Sequence, residues 1–231
     1  MRTNDIRVHG IYDLATIEVL KEQKVSHWAF DFRPRSLNFI QAYKLEEILY
    51  KEGMHADSVT LHFSNEKDFV VKKVITDLMK AYPQIKGRLF LEFSDTQSVF
   101  YYESFGLPFY THYMSDRLSQ DFLSSPFLKG LILGSDLLDE ILANELERNF
   151  LMNLFSYNPK MLARPIDFVL NTTQNTVFYR SFFEFLDFKV VSLVLGPELE
   201  INYRHINFDL LRHKLSNLLQ KEKYHAHSSF Q

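Results

Sequence analysis

Ile6-Arg7-Val8-His9-Gly10-Ile11, then Asp13 ahead of Leu14-Ala15-Thr16-Ile17, then Trp28-Ala29-Phe30-Asp31-Phe32: the fold is decided by this opening. A short run rich in branched and aromatic residues reads as a strand. Asp13 can accept the free amides of a helix's first turn. A second run of the same kind follows, so the stretch is a βα unit leading into the next strand. Outward along the chain the pattern repeats at Ser58–Phe63, Arg88–Phe93, Pro108–Tyr113, Leu128–Leu133, Ile166–Asn171 and Phe188–Leu195, which makes eight runs. Runs of this composition suit parallel strands buried on both faces. Between them, Val70, Val74 and Leu78 with Val71, Ile75 and Met79 give one wide apolar helix face. Leu138, Ile141, Leu142 and Leu146, and later Leu211, Leu215, Leu218 and Leu219, form core stripes, and Asn207 is a second expected N-cap. No linker rich in Pro, Gly or Ser divides the units. The expectation is an α/β fold, a single-domain (β/α)8 barrel over residues 1–223, with a disordered C-terminal tail over 224–231. An open doubly wound sheet is the alternative.

Composition narrows the function. A chain of 231 residues fits one large domain. Its 26 basic and 29 acidic residues are interspersed and sum to −3, which leaves no basic patch for nucleic acid. Cysteine is absent, so disulfides, thiolate nucleophiles and cysteine metal sites are excluded. No signal-like apolar segment opens the chain and no apolar run approaches the ~20 residues of a bilayer span, so a cytoplasmic protein without membrane contact is expected. Phe and Tyr are abundant, at 22 and 12, whereas the 7 glycines are few. The shortage matters because phosphate loops are built from glycine.

The opening resembles phosphoribosylanthranilate isomerase, a phosphate-binding barrel of tryptophan biosynthesis. Ile6-Arg7-Val8-His9-Gly10-Ile11 matches that family's first strand, Val-Lys-Ile-Cys-Gly-Ile, and no gap is needed through Phe30-Asp31-Phe32. Pro34-Arg35-Ser36 with Ile40 sits where the family has Pro-Lys-Ser-Pro-Arg-x-Val. Leu61-His62-Phe63-Ser64-Asn65 is similar to its third strand, Phe168-Val169-Leu170-Asn171 through Asn175 and Val177 to its seventh, and Gly196 with Glu198 to the turn after its eighth.

The functional positions depart from that pattern. The family's catalytic base is a cysteine, and its place holds His9. Its acid is the aspartate of Leu-Leu-Asp-Ser, where this chain reads Ile132-Leu133-Gly134-Ser135; Asp136 is the nearest carboxylate. The family's two glycine turns for phosphate are replaced by Asp136-Leu137-Leu138-Asp139-Glu140-Ile141 and Asn171-Thr172-Thr173, where side chains obstruct the approach of an anion to backbone amides. The arginine expected to meet the anthranilate carboxylate aligns with Asn38.

Candidate catalytic residues are therefore His9, Asp31 and Asp136, because barrel chemistry gathers at the carboxyl ends of strands. Arg33, Arg35, His62, Glu92, His112 and Asn171 are candidate ligand-binding residues that make a polar ring on this alignment; a structural ion-pair network plugging the mouth is the other reading. His9, His62, His112 and Glu92 are chemically suited to zinc or iron. They are distant in sequence and lack a local ligand motif, so no metal and no cofactor is expected. Phe178, Phe182, Phe183, Phe185 and Leu186 read as a helix packed on the barrel, with a homodimer face as the alternative. The favoured function is a non-catalytic descendant of the isomerase barrel that binds a small molecule or a protein partner. The alternative is an enzyme with a rebuilt site for a sugar or small anion, using His9 as base, or a retained phosphoribosylanthranilate isomerase.

Overall fold

The structure of the chain, a computed structural model, describes residues 5–114, 120–156, 166–173 and 179–227. Eight strands carry it: β1 (Asp5–His9), β2 (His27–Asp31), β3 (Ser58–Phe63), β4 (Leu89–Phe93), β5 (Phe109–His112), β6 (Leu128–Gly134), β7 (Asp167–Thr172) and β8 (Phe188–Val194). They pair in parallel and in chain order, and β8 returns to β1, with Asp5 opposite Val190 and His9 opposite Val194. That last pairing closes the barrel and excludes the open sheet. Each expected run holds a strand.

Helices α1 (Leu14–Glu22), α2 (Ala42–Glu52), α3 (Asp68–Ala81), α4 (Val99–Glu103), α5 (Gln120–Leu123), α6 (Ser135–Ala143), α7 (Glu147–Ser156), α8 (Arg180–Phe185) and α9 (Phe208–His227) connect and follow the strands. A short antiparallel hairpin, β9 (Glu200–Asn202) and β10 (His205–Ile206), precedes α9. Both expected caps form: Asp13 Oδ1 accepts from the Thr16 amide at 2.7 Å and Asn207 Oδ1 from the Leu210 amide at 3.1 Å. The apolar face of α3 is narrower than expected. Val71, Ile75 and Leu78 are buried along one stripe, while Val70, about 100° round the helix from Val71, is exposed. Leu146 is also exposed, because α6 ends at Ala143 and Leu146 falls in the turn before α7. In α8, Phe182 and the following Leu186 are buried and Phe185 is exposed. Helix α9 continues to His227, into the segment expected as a tail. Gln174, Asn175, Val177, Phe178 and residues 228–231 lie outside the described residues.

Two apolar regions bracket the barrel wall. The larger fills the layer between strands and helices, with Trp28, Phe30, Phe63, Phe93, Tyr102 and Phe109 fully buried. Much of the aromatic load sits there: Phe93 makes ring contacts with Phe63, Tyr101, Tyr102, Phe105 and Phe109. The smaller, Tyr110, Ile132 and Val169 with Phe90 and Val190, floors the lumen toward the amino ends of the strands. Above that floor the lumen is polar. Arg7, His9, Asp31, His62, Glu92, Asn171 and Ser192 are all buried, where barrels of this class ordinarily stack branched aliphatic side chains.

Candidate functional site

Strand alternation puts every second side chain into the lumen. On β1 these are Arg7 and His9, so the residue facing a would-be substrate and the one beneath it are both basic. Glu92 on β4 stands at the centre. Its Oε2 lies 2.9 Å from Arg7 Nη1, and its Oε1 accepts from His112 Nε2 at 2.9 Å. The same Oε1 is 3.4 Å from His62 Nδ1 and 3.6 Å from His9 Nε2. His9 Nε2 and His62 Nδ1 share a hydrogen bond of 2.9 Å, and His62 Nε2 another of 2.9 Å with Ser94 Oγ. Arg7 is fixed from the far wall as well, donating through Nε to Ser192 Oγ at 3.0 Å and through Nη2 to Asn171 Oδ1 at 3.1 Å. One guanidinium thus ties β1 to β4, β7 and β8.

Asp31, at the end of β2, is held by Arg33 through two parallel bonds of 2.9 and 2.6 Å and by the Arg33 amide at 3.0 Å. A paired guanidinium of this geometry strongly favours the carboxylate form. Burial alone would raise the Asp31 pKa, but the Arg33 hydrogen bonds and the facing imidazoles outweigh it, leaving it lowered to about 2. Burial lowers His9 to about 4 against the opposing pull of Glu92, and lowers His62 well below the ordinary imidazole value. Both rings are neutral near pH 7. Glu92 is also desolvated, yet Arg7 and the surrounding imidazoles keep its carboxyl well below the usual range.

The closed centre opens on one side. His112 is about a quarter exposed. Over the carboxyl ends of β2 and β3, a cleft of about 560 Å³ is lined by Arg33, Pro34, Arg35, Ser36, Ser64, Asn65 and Glu66. Arg35 is exposed there and has no ion pair among the described residues.

Neither a protein-family model nor a curated protein matches the chain. Solved structures do. A phosphoribosyl anthranilate isomerase from Thermotoga maritima superposes with a TM-score of 0.65 at 14% identity, covering 93% of this chain and 98% of that one. The fold is that of phosphoribosylanthranilate isomerase. The isomerase from Thermus thermophilus gives 0.64 at 13% identity over 96% and 100% of the two chains. An HpcH/HpaI aldolase from Desulfitobacterium hafniense gives 0.60 at 7% over 96% and 93%.

Against the isomerase fold, the sequence candidates divide into three groups. His9, Asp31, His62, Glu92 and His112 converge at the carboxyl ends of five consecutive strands, and Asn171 joins them through Arg7. Arg33 and Arg35 line the neighbouring cleft. Asp136 stands apart, exposed in the first turn of α6, and makes no bond to the cluster among the described residues. Asn38 is buried and donates to the Leu195 carbonyl, so it clasps the β2 loop to the end of β8. Gly10, at φ +87°, is required beneath it: a Cβ would collide with the Asn38 side chain. Sequence reasoning missed Arg7, Ser94 and Ser192. For Arg7 a signal existed, since a charged residue two positions before His9 in an apolar strand shares its face.

Proposed function

We propose that this chain is a binding barrel on the isomerase fold that does not isomerise phosphoribosylanthranilate, and that it takes a small anionic ligand in the cleft beside Arg33 and Arg35. The observation that carries the reading is the state of His9. It occupies the place of the family's base, is 3% exposed, and has Nε2 committed to His62, while Nδ1 is buried without a partner. A general base needs a nitrogen within hydrogen-bond reach of the proton it removes, and neither ring nitrogen offers that. The acid is missing as well, because Asp31 is ionised against Arg33 and Asp136 lies on the outside of α6. A positioned acid or base contributes about 10²- to 10⁴-fold each, so their joint loss removes most of the rate.

A catalytic reading with His9 as base keeps one supporting fact, the gathering of three imidazoles and a carboxylate where barrel active sites lie. The two readings separate in one assay. Incubation with phosphoribosylanthranilate, followed by loss of substrate fluorescence, is expected to give the same trace for the wild type and His9→Ala. Turnover that vanishes in His9→Ala would establish His9 as the base and overturn the binding reading. Millimolar citrate or phosphate, titrated calorimetrically, is expected to bind the wild type and to lose at least tenfold in affinity in Arg35→Ala.

A further inference from the structure

The triangle formed by His9 Nε2, His62 Nδ1 and Glu92 Oε1 is the feature of the lumen that a hydrogen-bond network explains least well. Its edges are 2.9, 3.4 and 3.6 Å. Only the shortest is a hydrogen bond; the other two bring Glu92 Oε1 close to both ring nitrogens without bonding either. Three ligands about 2.1 Å from one ion, at angles of 90–110°, stand about 2.9–3.4 Å from each other. Two of the edges fall within that range, and the third, 3.6 Å, corresponds to an angle of about 118° at the ion. All three groups are buried and are presented by barrel strands, His62 and Glu92 from the neighbours β3 and β4 and His9 from β1, one strand further round.

Two of the three groups are braced from behind in the way metal ligands are, while His9 Nδ1 is buried without a partner. Metal-bound imidazoles are oriented by a hydrogen bond at the other ring nitrogen, and ligating carboxylates by a donor on the second oxygen. His62 Nε2 is bonded to Ser94 Oγ, and Glu92 Oε2 is held by Arg7. On the outer side of the triangle His112 is about a quarter exposed and Ser94 is half-buried.

We infer that His9, His62 and Glu92 form a binding site for one divalent transition-metal ion of the zinc or iron(II) class, with His112 at its open side. Two imidazoles and one carboxylate suit those ions and leave positions free for water or a ligand. The charges nearby, Arg7 with Glu92 and Arg33 with Asp31, already cancel in pairs. A bound dication therefore adds uncompensated positive charge, which favours hydroxide or an anionic small molecule in the open positions. The site stands independently of the ligand cleft proposed above, because it uses none of the cleft's lining residues.

The experiment is a titration of chelator-treated protein with cobalt(II), followed by visible absorption, and with zinc(II), followed by calorimetry. The expected result is one equivalent bound, with a cobalt d–d band of the intensity typical of four or five ligands. Zinc should displace that band. His9→Ala and His62→Ala should each weaken binding at least 100-fold, while His205→Ala, a change at an exposed histidine outside the lumen, leaves it unaltered. Less than a fifth of an equivalent bound to the wild type at micromolar protein overturns the inference, and this readout does not depend on any variant folding. Binding that survives both lumen substitutions places the ion elsewhere and overturns it equally.

Discussion

Glu92 is the residue on which the lumen depends, because Arg7 and three imidazoles all converge on its carboxylate. Removing one partner of a buried ion pair leaves an uncompensated charge and costs about 3–5 kcal/mol, whereas replacing the pair by apolar groups is often neutral. Glu92→Gln is therefore expected to lower the urea midpoint by an amount equivalent to about 3 kcal/mol, and Arg7→Met with Glu92→Leu to recover most of it. A double variant no more stable than Glu92→Gln would show that Arg7's bonds to Ser192 and Asn171 outweigh its charge. His9 makes the same interior sensitive to acid. Between its unfolded value of 6.5 and its folded value of about 4, the unfolded chain binds a proton that the folded chain refuses, so stability falls as pH drops through that window. The contribution at stake is about 3 kcal/mol. His62 acts in the same direction, and Asp31 and Glu92, whose folded values are depressed, extend the loss to lower pH. Melting in the presence of a chelator should lose stability steeply from pH 6.5 to 4.5, and less steeply in His9→Gln. Equal slopes would mean that His9 is protonated in the folded state. At this scale the sequence was informative about residue type and silent about contact. His9, His62 and Glu92 could be named from their places at strand ends, but not that their donor atoms meet, since the two histidines are 53 positions apart and the curvature of the wall across β2 brings them together.

Among the elements, β6 shows how closely the strands approach. Gly130 pairs with Asp167 on β7, and a Cβ at Gly130 would run into the Asp167 backbone. Gly130→Ala should force β6 and β7 apart and destabilise the barrel by about 1–3 kcal/mol, the usual cost of overpacking, measured as a fall in melting temperature. An unchanged melt would mean that β7 can shift to accept the methyl. Strands and caps were legible because they are local: a run of branched and aromatic residues, or Asp13 and Asn207 ahead of their helices, carries its own instruction. The α3 face was less so. Val70 and Val71 have equal hydrophobicity, and only the position of the barrel wall decides that Val71 is covered and Val70 is not. Asn38 is a similar case. An alignment reads it as a lost ligand contact, but its amide clasps the loop after β2 to the end of β8 over Gly10, a role that no local pattern encodes.

For the whole molecule, closure is the defining act, and β8 supplies it. A chain ending at Asp187 retains seven strands, yet it lacks the partner of β1 and the Ser192 acceptor of Arg7. We expect that fragment to show no cooperative unfolding, and its single tryptophan, fully buried at position 28 in the intact chain, to emit as a solvated indole. A sigmoidal transition with blue-shifted emission would show that seven strands suffice.

The Arg7–Ser192 bond also sets a clock. Arg7 leaves a ribosome 185 positions ahead of Ser192. At translation rates of about 5–20 residues per second, the interval is roughly 10–40 s. Through that time a guanidinium bound for the dry centre of the barrel sits on an exposed, unpaired strand whose neighbour on one side has not been made. Nascent β1 thus begins as an open sheet edge with a positive charge in it. Such a charge is a known guard against edge-to-edge association, and the same residue that later braces the lumen can keep the unfinished chain from pairing with its neighbours.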